Sequence, residues 1–145
     1  MQGRSTMRTS RLAILGGLIS ALLLGSAGAA QAGQIDSAKA RAAASPQSVC
    51  GSGYYVQRSH RLPGAVAYQL YNGTTNCAVT IKTASVGKAT RTTAGLQVSG
   101  SSWSYDVGNY RYYAGPVKQR GKGKCVRYFG FHGGSNYTSP WGNCG

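Results

Sequence analysis

The sequence predicts an all-β fold, a small disulfide-stabilised β-sandwich or partly open β-barrel of about six to seven short strands. Three observations carry that prediction. Apolar and polar residues alternate with a period of two in several short runs. Gly, Ser and Asn punctuate the runs at short intervals, and no long helical pattern interrupts them. Four cysteines, Cys50, Cys77, Cys125 and Cys144, share the same stretch of chain, an even set of the kind that staples small exported domains.

Residues 1–32 read as a signal peptide. Arg4, Arg8 and Arg11 form a positive head, an apolar run follows from Leu12 to Leu24, and Ala30-Gln31-Ala32 supplies the small-x-small pattern that places cleavage after Ala32. The run is short for a span of roughly 20 residues and no stop-transfer cluster follows it. No later stretch is apolar enough to cross a bilayer, so no membrane span is expected after cleavage. The chain is therefore read as secreted. Residues 33–49 read as a flexible Ala/Ser-rich linker without aromatic residues, with Pro46 near its end. A basic β-domain then occupies residues 50–145.

Within that domain a first strand is expected over Tyr54–Arg58. Pro63-Gly64 forms a turn into Ala65–Tyr71, where Val66, Tyr68 and Leu70 alternate with Ala67 and Gln69. Asn72-Gly73-Thr74-Thr75-Asn76 then reverses the chain into Cys77–Lys82, the strongest hairpin signal in the sequence. Further strands are expected at Leu96–Ser99, Trp103–Val107, Arg111–Ala114 and Cys125–Phe131. Trp103, Tyr105 and Val107 form a candidate core stripe, with Ser104 and Asp106 facing out. The cysteines admit three pairings. Cys50–Cys77 with Cys125–Cys144 is favoured because each closes a local loop around strand pairs, a constraint that contributes on the order of 3 kcal/mol per bridge. The cysteines lack the close Cys-x-x-Cys spacing of a zinc site, and no metal or cofactor is expected.

Charge narrows the function. Lys and Arg number 16 against 2 acidic residues, a formal net charge of +14, and beyond residue 50 the only carboxylate side chain is Asp106. Paired-carboxylate glycoside hydrolysis is thereby excluded. No Gly-x-Ser-x-Gly elbow supports a serine triad, and Val86-Gly87-Lys88-Ala89-Thr90 lacks the upstream glycine of a phosphate loop. A chain this basic attracts polyanions instead. The densest cluster is Lys118, Arg120, Lys122 and Lys124, interleaved with glycines and followed by Arg127. Arg111 and Tyr113 offer a second candidate patch, and Tyr137 is a further aromatic expected to be exposed. The expected partner is an anionic polymer such as that of a cell wall. Nucleic acid is possible by charge alone.

Two alternatives remain open at this level. His60 and His132, each among cationic or glycine neighbours, could serve as base and acid in a secreted phosphodiesterase or nuclease. A small disulfide-bonded chain could also act as a protease inhibitor, although no braced reactive loop is marked.

Several strings resemble the spore-associated protein A-like family of secreted actinomycete proteins. They are Cys50-Gly51-Ser52-Gly53-Tyr54, Thr83-Ala84-Ser85-Val86-Gly87-Lys88-Ala89-Thr90, Tyr112-Tyr113-Ala114-Gly115-Pro116-Val117, Gly123-Lys124-Cys125-Val126 and the closing Ser139-Pro140-Trp141-Gly142-Asn143-Cys144-Gly145. The resemblance implies an exported protein of the spore surface or aerial growth, and it supplies no catalytic residues. Both lines lead to one expectation: a secreted, non-enzymatic protein of the cell envelope or spore that binds anionic cell-wall or spore-surface polymer electrostatically.

Overall fold

β-Branched and aromatic residues between Tyr55 and Thr138 favour extended backbone, and the glycine, proline and asparagine positions between them decide where the chain reverses. A computed structural model describes residues 45–145; the expected signal peptide, and residues 33–44 of the expected linker, lie outside the described residues. A short helix, α1 (Pro46–Cys50), comes first. Eight strands follow: β1 (Tyr55–Leu62), β2 (Ala65–Tyr71), β3 (Thr75–Lys82), β4 (Thr90–Val98), β5 (Ser104–Tyr110), β6 (Tyr113–Arg120), β7 (Val126–His132) and β8 (Ser135–Thr138). They form two antiparallel four-stranded sheets, ordered β1-β2-β3-β6 and β5-β4-β7-β8. The architecture is a sandwich and not a closed barrel. Among the described residues no helix is long and apolar enough to cross a membrane.

Helix α1 takes in Pro46–Val49, which the sequence reading gave to the linker. Ser45 and Ser48 cap it reciprocally, with hydrogen bonds of 3.1 and 3.2 Å, and Pro46 sits in the first turn, where its missing N–H goes unneeded. The β1–β2–β3 meander follows the expected turns. Asn72 Oδ1 accepts the Thr74 and Thr75 amides at 3.1 and 2.8 Å, which sets the register of β2 against β3 from Tyr71↔Asn76 onward.

The disulfides are Cys50–Cys77 and Cys125–Cys144, the pairing that closes local loops. The first ties α1 to β3, and the second ties the start of β7 to the last residues of the chain. The larger apolar side chains of β2 and β3 face away from the second sheet. Leu70, Cys77, Val79 and Ile81 pack with Cys50 beneath Tyr54, Tyr68 and Tyr113. Between the sheets lie mostly small residues, Ala67, Ala78, Ala94 and Ala114, with Leu96, Val98, Val117, Val126 and Tyr128. This spacing is tight at Gly130, where an added Cβ would stand 2.5 Å from the Ala67 Cβ.

Four expectations are corrected. β4 begins at Thr90, well before Leu96, and β8 was not anticipated. β6 starts at Tyr113 and continues to Arg120, so Lys118 and Arg120 lie on a strand and only residues 121–124 form the turn. Pro116 had hidden that continuation. It is accommodated because the pairing of β6 with β3 slips between Ala78↔Val117 and Thr80↔Ala114, leaving Gly115 and Pro116 as a bulge. Finally, the supposed core stripe faces solvent, with Tyr105 and Val107 being 51% and 49% exposed. The polar residues Ser104 and Asp106 turn inward because each has a hydrogen-bond partner across the sandwich.

The close approach at Gly130 gives a direct test. Gly130→Ala should lower stability by about 1–3 kcal/mol, read as a lower urea midpoint with an unchanged slope.

Candidate functional site

β5 lies at one edge of the second sheet, and its inward carboxylate is the centre of a polar seam. Asp106 accepts a short hydrogen bond from the Tyr110 hydroxyl and another from the Gly115 amide at 2.6 Å. Only glycine serves at the bulge: its φ is +105°, and a Cβ there would meet the Ala78 carbonyl at 2.7 Å. The bond to Asp106, and to a lesser degree burial, raises the Tyr110 phenol above its ordinary pKa. Gln119 continues the seam. Its Nε2 reaches the Leu96 and Ser102 carbonyls and Ser104 Oγ at 3.1, 3.0 and 2.9 Å, and its Oε1 accepts the Val98 amide at 2.9 Å.

The opposite seam joins β1 to β7, β8 and the closing segment. Arg58 donates to the Pro140 and Val126 carbonyls at 3.0 and 2.7 Å and lies 5.2 Å from the Tyr128 ring centroid. Burial holds its guanidinium below the ordinary value. His60 stacks on Tyr137 with centroids 3.6 Å apart and planes within 5°. Tyr137 is therefore half-covered and packed on the core rather than freely exposed.

The other candidate histidine has a different environment. His132 is 5% exposed, and its Nδ1 lies 3.2 Å from Thr92 Oγ1. Burial, and secondarily the charge of Lys82, holds its imidazole below the usual pKa. One imidazole is thus committed to a tyrosine face at a sheet edge, and the other is sealed at the end of β7. These contacts build no acid–base pair for phosphodiester cleavage.

The expected cationic residues fall into two groups. Lys118, Arg120, Lys122 and Lys124 are exposed. The first two project outward from β6 and the other two occupy the turn that carries the chain from the first sheet to the second. Lys118 Nζ rests 5.0 Å from the Tyr54 ring centroid. Arg127 lies on the outer face of the second sheet, its guanidinium 4.9 Å from the Trp103 centroid and 4.5 Å from that of Trp141, with Nε donating to Gln97 at 2.8 Å. Arg111 pins the Gly87 carbonyl at 2.8 Å, and Tyr113 packs over the apolar cluster beneath α1. These last three contacts hold structure together. Lys82 does the same inside the fold, where its ammonium donates to the Ser85, Lys88 and Tyr110 carbonyls and burial lowers its pKa. Neither Arg58 nor Lys82 was singled out in the sequence. A basic residue in an alternating strand with no acid nearby was the available signal.

No family model matches the chain, and no solved structure matches it. The chain is similar to spore-associated protein A of Streptomyces coelicolor, at 39% identity over 133 residues that cover 89% of this chain and 82% of that protein.

Two outcomes test this geometry. Asp106→Asn replaces a double acceptor by a group with one acceptor and one donor, and should cost about 1–3 kcal/mol in chemical denaturation. The depressed His132 pKa means that the unfolded chain takes up a proton first as pH falls below about 6.5. Stability contributed by the neutral imidazole is therefore present above that value and lost as pH falls toward the folded pKa. Melting temperatures at pH 7.5 and 5.5 should show this loss, and His132→Gln should flatten it.

Proposed function

The chain belongs to the spore-associated protein A family, and from that premise we propose that it is an exported, non-enzymatic protein of the spore or cell surface that binds anionic polymer by electrostatic attraction. The observation that carries the proposal is uncompensated charge. Asp106, the only carboxylate side chain among the described residues, is engaged between the sheets by a hydroxyl and an amide. Arg58, Lys82, Arg111 and Arg127 are occupied by carbonyls, an amide or indole rings. Lys118, Arg120, Lys122 and Lys124 remain exposed along β6 and its following turn, and they supply the binding charge.

Such a strip recognises charge density and spacing more than any one chemical group. The glycine-rich turn is braced by the Gly121 amide donating to the Thr74 carbonyl, and among the described residues no acidic side chain other than Asp106 is present to compete for the cations. The name of the Streptomyces coelicolor relative agrees with a surface location.

Screening supplies the test. Between about 0.01 and 1 M salt the Debye length contracts from roughly 30 to 3 Å, so retention of the exported protein on isolated actinomycete cell walls should collapse across that range. A variant with Lys118, Arg120, Lys122 and Lys124 changed to Gln should be retained at least about tenfold more weakly at low salt, a loss of about 1.4 kcal/mol. Retention that ignores both salt and the substitutions would refute the proposal.

A further inference from the structure

Near the basic turn, where β1 begins, β2 ends and β3 begins, the sandwich leaves a cavity of about 320 Å³, at the small end of the roughly 300–1,000 Å³ range of ligand clefts. Its chemistry is mixed in a particular way. Tyr55, Gln57, Tyr71, Asn76, Lys124 and Asn143 line it, together with backbone of the glycine-rich turn. Two aromatic walls, three amides and one ammonium therefore converge on a space the size of a single ring.

The amides are already oriented. Gln69, fully buried, donates from Nε2 to Gln57 Oε1 and Asn76 Oδ1 at 2.8 and 2.9 Å. Asn143 donates from Nδ2 to Gln57 Oε1 and Gln69 Oε1 at 3.0 and 2.9 Å. This network consumes the Gln57 and Asn76 oxygens and the Asn143 nitrogen. Gln57 Nε2, Asn76 Nδ2 and Asn143 Oδ1 make no hydrogen bond to protein among the described residues. These two donors and one acceptor belong to residues that line the cavity. Asn76 is only 2% exposed, and its Oδ1 is held by Gln69.

The walls complete the pattern. Tyr55, 52% exposed, meets Tyr71 edge to face with centroids 6.2 Å apart. Flat rings of this kind stack on the C–H face of a sugar, while amides pair with its hydroxyls. Asn143 holds a left-handed backbone with φ 52°, a conformation asparagine tolerates better than most residues. It is kept there beside Cys144, whose disulfide partner Cys125 adjoins Lys124. One covalent bridge thus anchors the backbone next to both Asn143 and Lys124, two of the residues that line the cavity.

We infer that this cavity is a subsite for one ring of an acidic saccharide, with the ring against Tyr55 and Tyr71, its hydroxyls on the three amides, and its carboxylate or phosphate on Lys124. The inference deepens the electrostatic reading and rests on it, since the exposed lysines would hold the rest of the same polymer.

Calorimetric titration of the exported protein separates the two. The probes are an oligogalacturonate, a sugar-phosphate oligomer, and inorganic polyphosphate of matched charge. Tyr55→Ala and Gln57→Ala, checked for unchanged melting, should weaken binding of at least one acidic saccharide by about tenfold or more and leave polyphosphate binding within about twofold. Lys124→Gln should weaken every probe. The saccharide that responds identifies whether carboxylate or phosphate is the anion. Should the Tyr55 and Gln57 variants alter saccharide and polyphosphate binding equally, or alter neither, the sugar subsite is overturned while the electrostatic reading stands. If wild-type protein binds none of the probes at low salt, the electrostatic reading fails and the subsite with it.

Discussion

One inward-facing, hydrogen-bonded carboxyl group sets much of this structure. Asp106 binds the Tyr110 hydroxyl and the amide of the Gly115 bulge, and in doing so couples the edge of one sheet to the edge of the other. A carboxylate turned inward must bring β5 with it. Because strand side chains alternate, Tyr105 and Val107 are then forced outward. Among the described residues, the same commitment leaves no other acidic side chain to pair with the surface cations. Fold and charge are two results of a single placement.

With acids so scarce, the protein stabilises its interior cations by other means. Lys82 points its ammonium at three carbonyls, and Arg58 forks between two strand-end carbonyls over a tyrosine ring. Hydrogen bonds to charged donors are roughly twice as strong as neutral ones, which offsets the desolvation that lowers both pKa values. These bonds also close the two seams of the sandwich, where a core with four alanines among its nine buried residues offers limited hydrophobic grip. Among the described residues, the cations left over are Arg61, Lys88 and Arg91 together with the denser group on β6 and its turn, all exposed. Engaged and exposed charge are therefore divided residue by residue rather than by region.

The meander β1–β2–β3 was legible because its turns are chemical statements: Pro63-Gly64 and Asn72-Gly73 admit few backbone alternatives. The disulfide pairing was legible because short loops favour local closure. β5 was misread since apolar alternation assigns the inside to the greasier face, and no local signal says that a lone aspartate has a partner nine residues on. Only the start of β6 fell within an expected strand, Arg111–Ala114, and its continuation was hidden by Pro116, which an edge bulge tolerates. The basic strip could be read directly, although its division between a strand and a turn could not. Most of the cavity was invisible for a different reason. Gln57, Asn76 and Asn143 are common polar residues far apart in the chain, and only the register of β1, β2 and β3 with the closing segment makes them neighbours.

The indole clasp on Arg127 carries an experimental consequence. The chain holds 2 tryptophans, and both sit against the same guanidinium. Intrinsic ultraviolet emission of this protein therefore watches one spot, the outer surface of the second sheet together with the tail that folds across it. Loosening of that tail would change the colour of the signal. Events around Tyr55 and Tyr71 would register mainly in the tyrosine band, so two optical channels observe two different sites of the same chain.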